Sequence, residues 1–150
     1  MGRVVMRQAT LDDTQSIRAL TREAYAKWVP VIEREPVPMS IDYNEALKKH
    51  RFDLLFLDDK LAALIETSLN DDHLLIINIA VSPNHQGKGL GRKLMDHAET
   101  LAKTSGLSEI KLYTNQLFTG NVTFYSQLGY QVEREEEFKG GITVYMHKKI

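Results

Sequence analysis

Apolar residues fall into short blocks along the chain, and their spacing changes from block to block. Val4 to Ala9 reads as an opening strand. Thr10 then stands as a helix cap with Asp13 three residues on, the pattern of a capping box. Ile17, Leu20, Ala24 and Trp28 recur at helical spacing, which points them at a core and predicts a helix that stops before Pro30. From Val29 to Tyr43, Pro30, Pro36 and Pro38 predict a loop, because each proline fixes φ and removes a backbone donor. Tyr43 to Lys49 reads as a second, short helix.

The pattern then turns strand-like. Phe52 to Leu57 meets Leu61 to Thr67 at an Asp58-Asp59 turn, and Asn70-Asp71-Asp72 leads into Leu74 to Val81. That last segment is apolar at all but one position, as suits a strand covered on both faces. Leu90, Leu94, Ala98 and Leu101 return to helical spacing, and Ser105-Gly106 supplies the stop. Glu109 to Thr114 is a strand and Gly120 to Leu128 a helix. Tyr130 to Phe138 and Ile142 to His147 form a hairpin around Lys139-Gly140-Gly141. This order predicts a mixed, mostly antiparallel α/β sheet of about seven strands with helices on both faces.

Composition narrows the possibilities. The chain's 150 residues fit one domain, 1–150, and 43% hydrophobic residues support one ordinary core. A formal net charge of −1 gives no basic field for nucleic acid. With no cysteine, thiol catalysis and cysteine-ligated zinc are excluded. His50, His73, His85, His97 and His147 are scattered without ligand spacing, so no metal is expected. Neither a signal peptide nor a membrane-length apolar run is visible, which makes a cytoplasmic enzyme the default expectation.

The chemistry concentrates where the buried strand gives way to the helix, at Gln86-Gly87-Lys88-Gly89-Leu90-Gly91. Glycines let backbone approach a ligand closely and adopt positive φ, and a helix N-terminus presents free N–H groups to an anion. Lys88 and Arg92 add positive charge. The glycine spacing fits neither the dinucleotide fingerprint nor the Walker loop, which still leaves a tight turn as the simpler reading. A second segment, Asn121-Val122-Thr123-Phe124-Tyr125-Ser126-Gln127-Leu128-Gly129-Tyr130, follows downstream.

Together these segments resemble the GCN5-related N-acetyltransferase (GNAT) superfamily. Gln86, Gly89 and Gly91 match its Gln/Arg-x-x-Gly-x-Gly/Ala signature, with Val81-Ser82-Pro83 as the usual lead-in. Phe124, Tyr125, Gly129 and Tyr130 match its later Phe-Tyr-x-x-x-Gly-Phe/Tyr signature. The match is good over residues 73–148; the first half follows only in element order. The resemblance implies acetyl-CoA as cofactor, CoA as product, and a small-molecule or peptide amine as acceptor. It also implies that the strands ending at Val81 and starting near Glu109 splay apart to admit the pantetheine arm. Dimers are common in this fold, so a homodimer is possible. The alternative reading is a non-catalytic acyl-CoA sensor.

Under this resemblance, Ile79, Val81, Gln86, Gly87, Lys88, Gly89, Gly91 and Arg92 contact the cofactor, and a backbone N–H near Val81 faces the oxyanion. Asn115, Asn121 and Phe124 join them, with Asn121 standing three residues later than the usual Asn; it is read either as a helix cap or as a cofactor contact. Tyr125 is the candidate acid for the leaving sulfur, or else a packed aromatic. The acidic residue that relatives often carry on the central strand corresponds to Leu75, leaving Asn78 as that strand's only polar side chain. Glu66 is the candidate base if it faces the cleft rather than solvent. The acceptor site is expected from residues 25–45, with Tyr25, Trp28, Asp42 and Tyr43 alongside Asn78. Asp42 is read either as an acceptor contact or as a helix N-cap boxed by Glu45.

Overall fold

The computed structural model describes residues 3–150. Seven strands form one sheet in the order β1-β2-β3-β4-β5-β7-β6. They are β1 (Val4–Gln8), β2 (Arg51–Leu57), β3 (Lys60–Leu69), β4 (Leu74–Val81), β5 (Glu109–Asn115), β6 (Gln131–Phe138) and β7 (Gly141–Lys149). Only β4 and β5 run parallel; every other neighbouring pair is antiparallel. The helices are α1 (Thr14–Tyr25), α2 (Val29–Ile32), α3 (Tyr43–Lys49), α4 (Leu90–Thr104) and α5 (Thr119–Gln127).

The helices divide between the faces as the apolar spacing requires. Ile17, Leu20 and Ala24 of α1, with Tyr43 and Ala46 of α3, bury one face of the sheet against Phe52, Leu54, Leu64 and Ala80. Leu90, Leu94, Met95, Ala98 and Ala102 of α4 bury the other face. At Asp58 and Asp59 the tight β2–β3 turn takes both residues to positive φ, 51° and 68°, as a two-residue primed hairpin turn requires. Lys139 and Gly140 do the same between β6 and β7, at 49° and 80°.

Two features of β4 position the site. Its register with β3 passes from Glu66↔Asn78 to Thr67↔Ile76, so Ile77 is an extra residue in a bulge. The bulge reverses which face each later residue serves. Leu74 and Ile76 before it, and Ile79 and Val81 after it, all pack with the α4 cluster. Asn78 and Ala80 turn instead toward α1, where Ala80 joins that helix's cluster and Asn78 meets Tyr25. The second feature is the partnership with β5, which lasts only from Leu74↔Ile110 to Ile76↔Leu112. Beyond Ile76 the two strands diverge, as the resemblance implied.

The segment after α1 departs from the sequence expectation. Pro30 lies at the start of α2, where its missing N–H is one a helix start does not use. Val37–Ser40 forms a further 3₁₀ turn, also with its proline in the first turn. The expected continuous loop is therefore mostly helical turns. Trp28 does not extend the α1 stripe into the core. It sits on the 3₁₀ turn Ala26–Trp28, half-buried, and stacks on Phe118 at 4.5 Å between ring centroids.

Candidate active site

The glycine loop has the shape its sequence suggested. Gly87 and Gly89 hold φ of 79° and 78°, and a Cβ built on either meets nothing within 4 Å. Their need for glycine is thus conformational, and open space lies beside both. Gly89 is the N-cap of α4 with no side-chain cap, so first-turn N–H groups are left to face outward. Lys88 and Arg92 are exposed and make no ion pair among the described residues. Gly91 has a different reason: a Cβ there would stand 3.4 Å from the Phe124 ring, so its absence lets α4 approach α5. An anion seated here would meet an uncapped helix dipole, two cations and a backbone without side chains.

The free edge of β4 continues from the loop. Ser82 N–H donates to Ala62 C=O at 2.8 Å, so Ser82 faces β3 with its hydrogen-bonding groups. By the alternation of an antiparallel ladder, Val81 and Ile79 turn theirs to the opposite edge, where β5 has already diverged. Two side chains find those carbonyls. Tyr25 Oη donates to Asn78 Oδ1 at 2.8 Å and lies 3.3 Å from Ile79 O, and Gln86 Nε2 donates to Val81 O at 3.3 Å. Gln86 also accepts from Lys27 Nζ at 3.3 Å.

Three cavities that share lining residues surround this edge. One runs beside the loop and is lined by Trp28, Ile79, Val81, Gln86, Gly91 and Phe124. It shares Tyr25, Ile79, Asn121 and Tyr125 with a second, which fills the β4–β5 divergence and is bordered by Ile32, Arg34, Pro36, Val37, Pro38 and Phe138. The third, about 430 Å³, opens over β3 and is lined by Asp42, Tyr43, His50, Glu66, Asn78 and Tyr113. Tyr125 therefore stands at the junction of the first two cavities, and Asn78 at the junction of the second and third. Burial pushes the Tyr125 hydroxyl above its ordinary pKa, so it stays protonated at neutral pH.

The remaining candidates fall into place unevenly. Glu66 is buried, not solvent-facing, and its Oε2 lies 2.7 Å from His50 Nδ1. Desolvation raises its pKa, and the hydrogen bond and charge of His50 pull it back down. Nothing in the spacing of His50 announced this partner; only the β2–β3 register brings it there. Asp42 is the N-cap of α3, accepting from Asn44 N at 3.0 Å and Glu45 N at 3.4 Å. No box is closed, because the Glu45 carboxylate turns to Lys48 at 3.2 Å. Tyr43 lies in the core with its hydroxyl donating to Pro38 O at 2.6 Å, although its edge reaches the third cavity. Asn121 is not a cap: Phe118 holds that position, leaving Asn121 inside the first turn of α5, where it lines the first and second cavities. Asn115 ends β5 and accepts from Leu117 N at 2.9 Å. His85 is half-buried beside the loop. Arg34, which lines the second cavity, lies within the 25–45 stretch expected to form the acceptor site but was not singled out there, because its sequence neighbourhood reads as an ordinary charged loop. Among the described residues no cluster of three or more metal-ligating side chains occurs, and no helix is long and apolar enough to cross a membrane.

The geometry agrees with what the chain resembles. A family model described as the acetyltransferase (GNAT) family matches residues 15–130. Spermidine N(1)-acetyltransferase from Thermoplasma acidophilum is 25% identical, over 87% of this chain and 89% of that protein. [Ribosomal protein bS18]-alanine N-acetyltransferase from Salmonella typhimurium is 33% identical, over 51% of each chain. Among solved structures, PaiA N-acetyltransferase from Thermoplasma acidophilum in complex with coenzyme A superposes with a TM-score of 0.84 at 20% identity, covering 99% of both chains. The ribosomal-protein-S18-alanine N-acetyltransferase from Escherichia coli gives 0.81 at 18% identity, covering 99% of this chain and 94% of that one. With a phosphate-fitting loop, a bare strand edge and a family match over most of its length, the chain belongs to the acetyltransferase (GNAT) family and is an N-acetyltransferase that uses acetyl-CoA.

Proposed function

We propose that this enzyme acetylates a primary amine of a small molecule or peptide by direct attack, within the gap between β4 and β5. The observation that carries the reading is the loss of β4–β5 pairing after Ile76, which leaves Ile79 lining both the β4–β5 cavity and the one beside the loop, and Val81 lining the latter. The relatives named for spermidine and for a ribosomal-protein alanine both act on amines, which supports an amine here.

Bound acetyl-CoA supplies an activated acyl thioester. The chain's own residues would do the rest. Gln86, Gly87, Lys88, Gly89, Gly91 and Arg92 form the phosphate cradle. Asn115, Asn121 and Phe124 line the route from that cradle into the gap. The Ile79 and Val81 N–H groups are placed to hold the pantetheine arm and the carbonyl oxygen, at a fixed geometry that costs nothing to reorganise during reaction. Tyr125 donates its proton toward the departing sulfur. Its raised pKa makes full proton transfer to the departing thiolate, whose thiol has an ordinary pKa of ~8.5, uphill, so a hydrogen bond to developing charge is its main contribution. Glu66 receives the proton released by the amine, and Tyr25, Trp28, Asp42, Tyr43 and Asn78 form the walls on the acceptor side.

A CoA-release assay across alkylamines, polyamines, amino acids and short peptides tests this. Release should require an amine and rise with pH as the amine loses its proton. Tight acetyl-CoA binding with no release by any amine would overturn it.

A further inference from the structure

The cavity between β4 and β5 is unusual in its charge. Arg34 is the one charged side chain among those lining it. It is half-buried, and it makes no ion pair among the described residues; its contacts are the Glu35 carbonyl at 3.4 Å and the Phe138 ring at 6.0 Å. Its neighbour Glu35 is already engaged by Arg22 at 2.9 Å. Lys139 approaches the same Phe138 ring at 5.4 Å, so two cations flank the aromatic residue at this end of the cavity. Deeper in, Asn78 is 4% exposed. Its Oδ1 is taken by Tyr25, and its Nδ2 has no partner. The cavity thus offers a guanidinium and a spare amide donor, and no carboxylate. A guanidinium left unpaired beside apolar walls is a strong, directional binder of carboxylate oxygens.

Carboxylates lie next door. Asn78 and Tyr113 also line the third cavity, where Glu66, Asp42 and Glu45 stand with Lys49 and His50. Asp42 caps α3 and Glu45 pairs with Lys48, while Glu66, held by His50, is the buried carboxylate among them.

We propose that the acceptor carries a carboxylate as well as its amine, and that Arg34 is the residue that binds the carboxylate while the amine lies toward Tyr125 and Glu66. This deepens the amine reading and rests on it. The substrate class is then an amino acid or a similar amino-carboxylate. An alkyl polyamine, positive at both ends, would place a like charge against Arg34.

The test compares matched acceptors on the intact enzyme with acetyl-CoA: amino acids, their amides, their decarboxylated amines, and spermidine. The free amino acids should show the higher kcat/KM. Arg34→Gln should lower kcat/KM for them by roughly 10- to 100-fold, the range for one charge-assisted hydrogen bond, mainly through KM. It should leave the decarboxylated amines within a few-fold. A stacking role alone, on Phe138, would affect both acceptor sets equally and would overturn the assignment. Spermidine or decarboxylated amines preferred by the unmodified enzyme would also overturn it, while leaving the amine reading standing. No turnover of any amine would remove the amine reading and this proposal together.

Discussion

Tyr125 and Glu66 are both buried ionisable groups at the site, and burial pushes each toward its neutral form. For Tyr125 that keeps a donor in place. Tyr125→Phe retains the ring that packs near Phe124 and Tyr130 and removes only the hydroxyl. We expect kcat to fall by ~10²-fold, as when one positioned donor is lost from a site of developing charge, with KM for acetyl-CoA little changed. Glu66 must be ionised to accept a proton, so its raised pKa should place an acid limb in the pH–rate profile above the ordinary carboxylate range. His50 works against that rise, so His50→Gln should move the limb to still higher pH, and Glu66→Gln should abolish it. A limb unmoved by His50→Gln would mean that another group takes the proton. The sign for folding is opposite. A carboxyl whose pKa is raised in the folded state costs stability as pH climbs from the ordinary value through the raised one. At this scale the sequence showed residue types but not pairings. Glu66 was visible, whereas its contact with His50 depends on the β2–β3 register.

Among elements, the junction of β4 and α4 was the most legible. Glycines at fixed spacing after an apolar run carry their own physical reason, and the left-handed φ of Gly87 and Gly89 bears it out. Gly89→Asp would add a carboxylate and a Cβ beside the cradle and force a side chain into a positive-φ position. Calorimetry should find acetyl-CoA affinity reduced by at least ~10-fold, since a carboxylate set beside the pyrophosphate adds like-charge repulsion of more than ~1.4 kcal/mol. Thermal unfolding should show only a small loss. Unchanged affinity would move the phosphates elsewhere. The segment from Val29 to Tyr43 was least legible, because prolines signal both a loop and the first turn of a helix. There the structure chose short helical turns, and Trp28 left the expected core stripe to stack on Phe118.

Over the whole molecule, strand count, helix faces and order of elements could be read from periodicity, because each face buries its own apolar stripe. The divergence of β4 from β5 could not. The pairing ends at Ile76, next to the bulge at Ile77 in the β3–β4 ladder, and neither the bulge nor the end of pairing leaves a residue signature. It entered the sequence reading only through family resemblance. The surroundings of the acceptor side were legible only in part: Glu66 and Asn78 were named from the sequence and Arg34 was not, and that these distant residues line adjoining cavities emerges only in the fold. The claim on which everything else depends is that acetyl-CoA lies along the free edge of β4. Backbone amide NMR, recorded with and without acetyl-CoA, reads that edge directly. The amides of Ile79, Val81 and Gly87 to Arg92 should shift most and exchange more slowly with solvent. Saturating acetyl-CoA that leaves Ile79 and Val81 unperturbed would contradict the account.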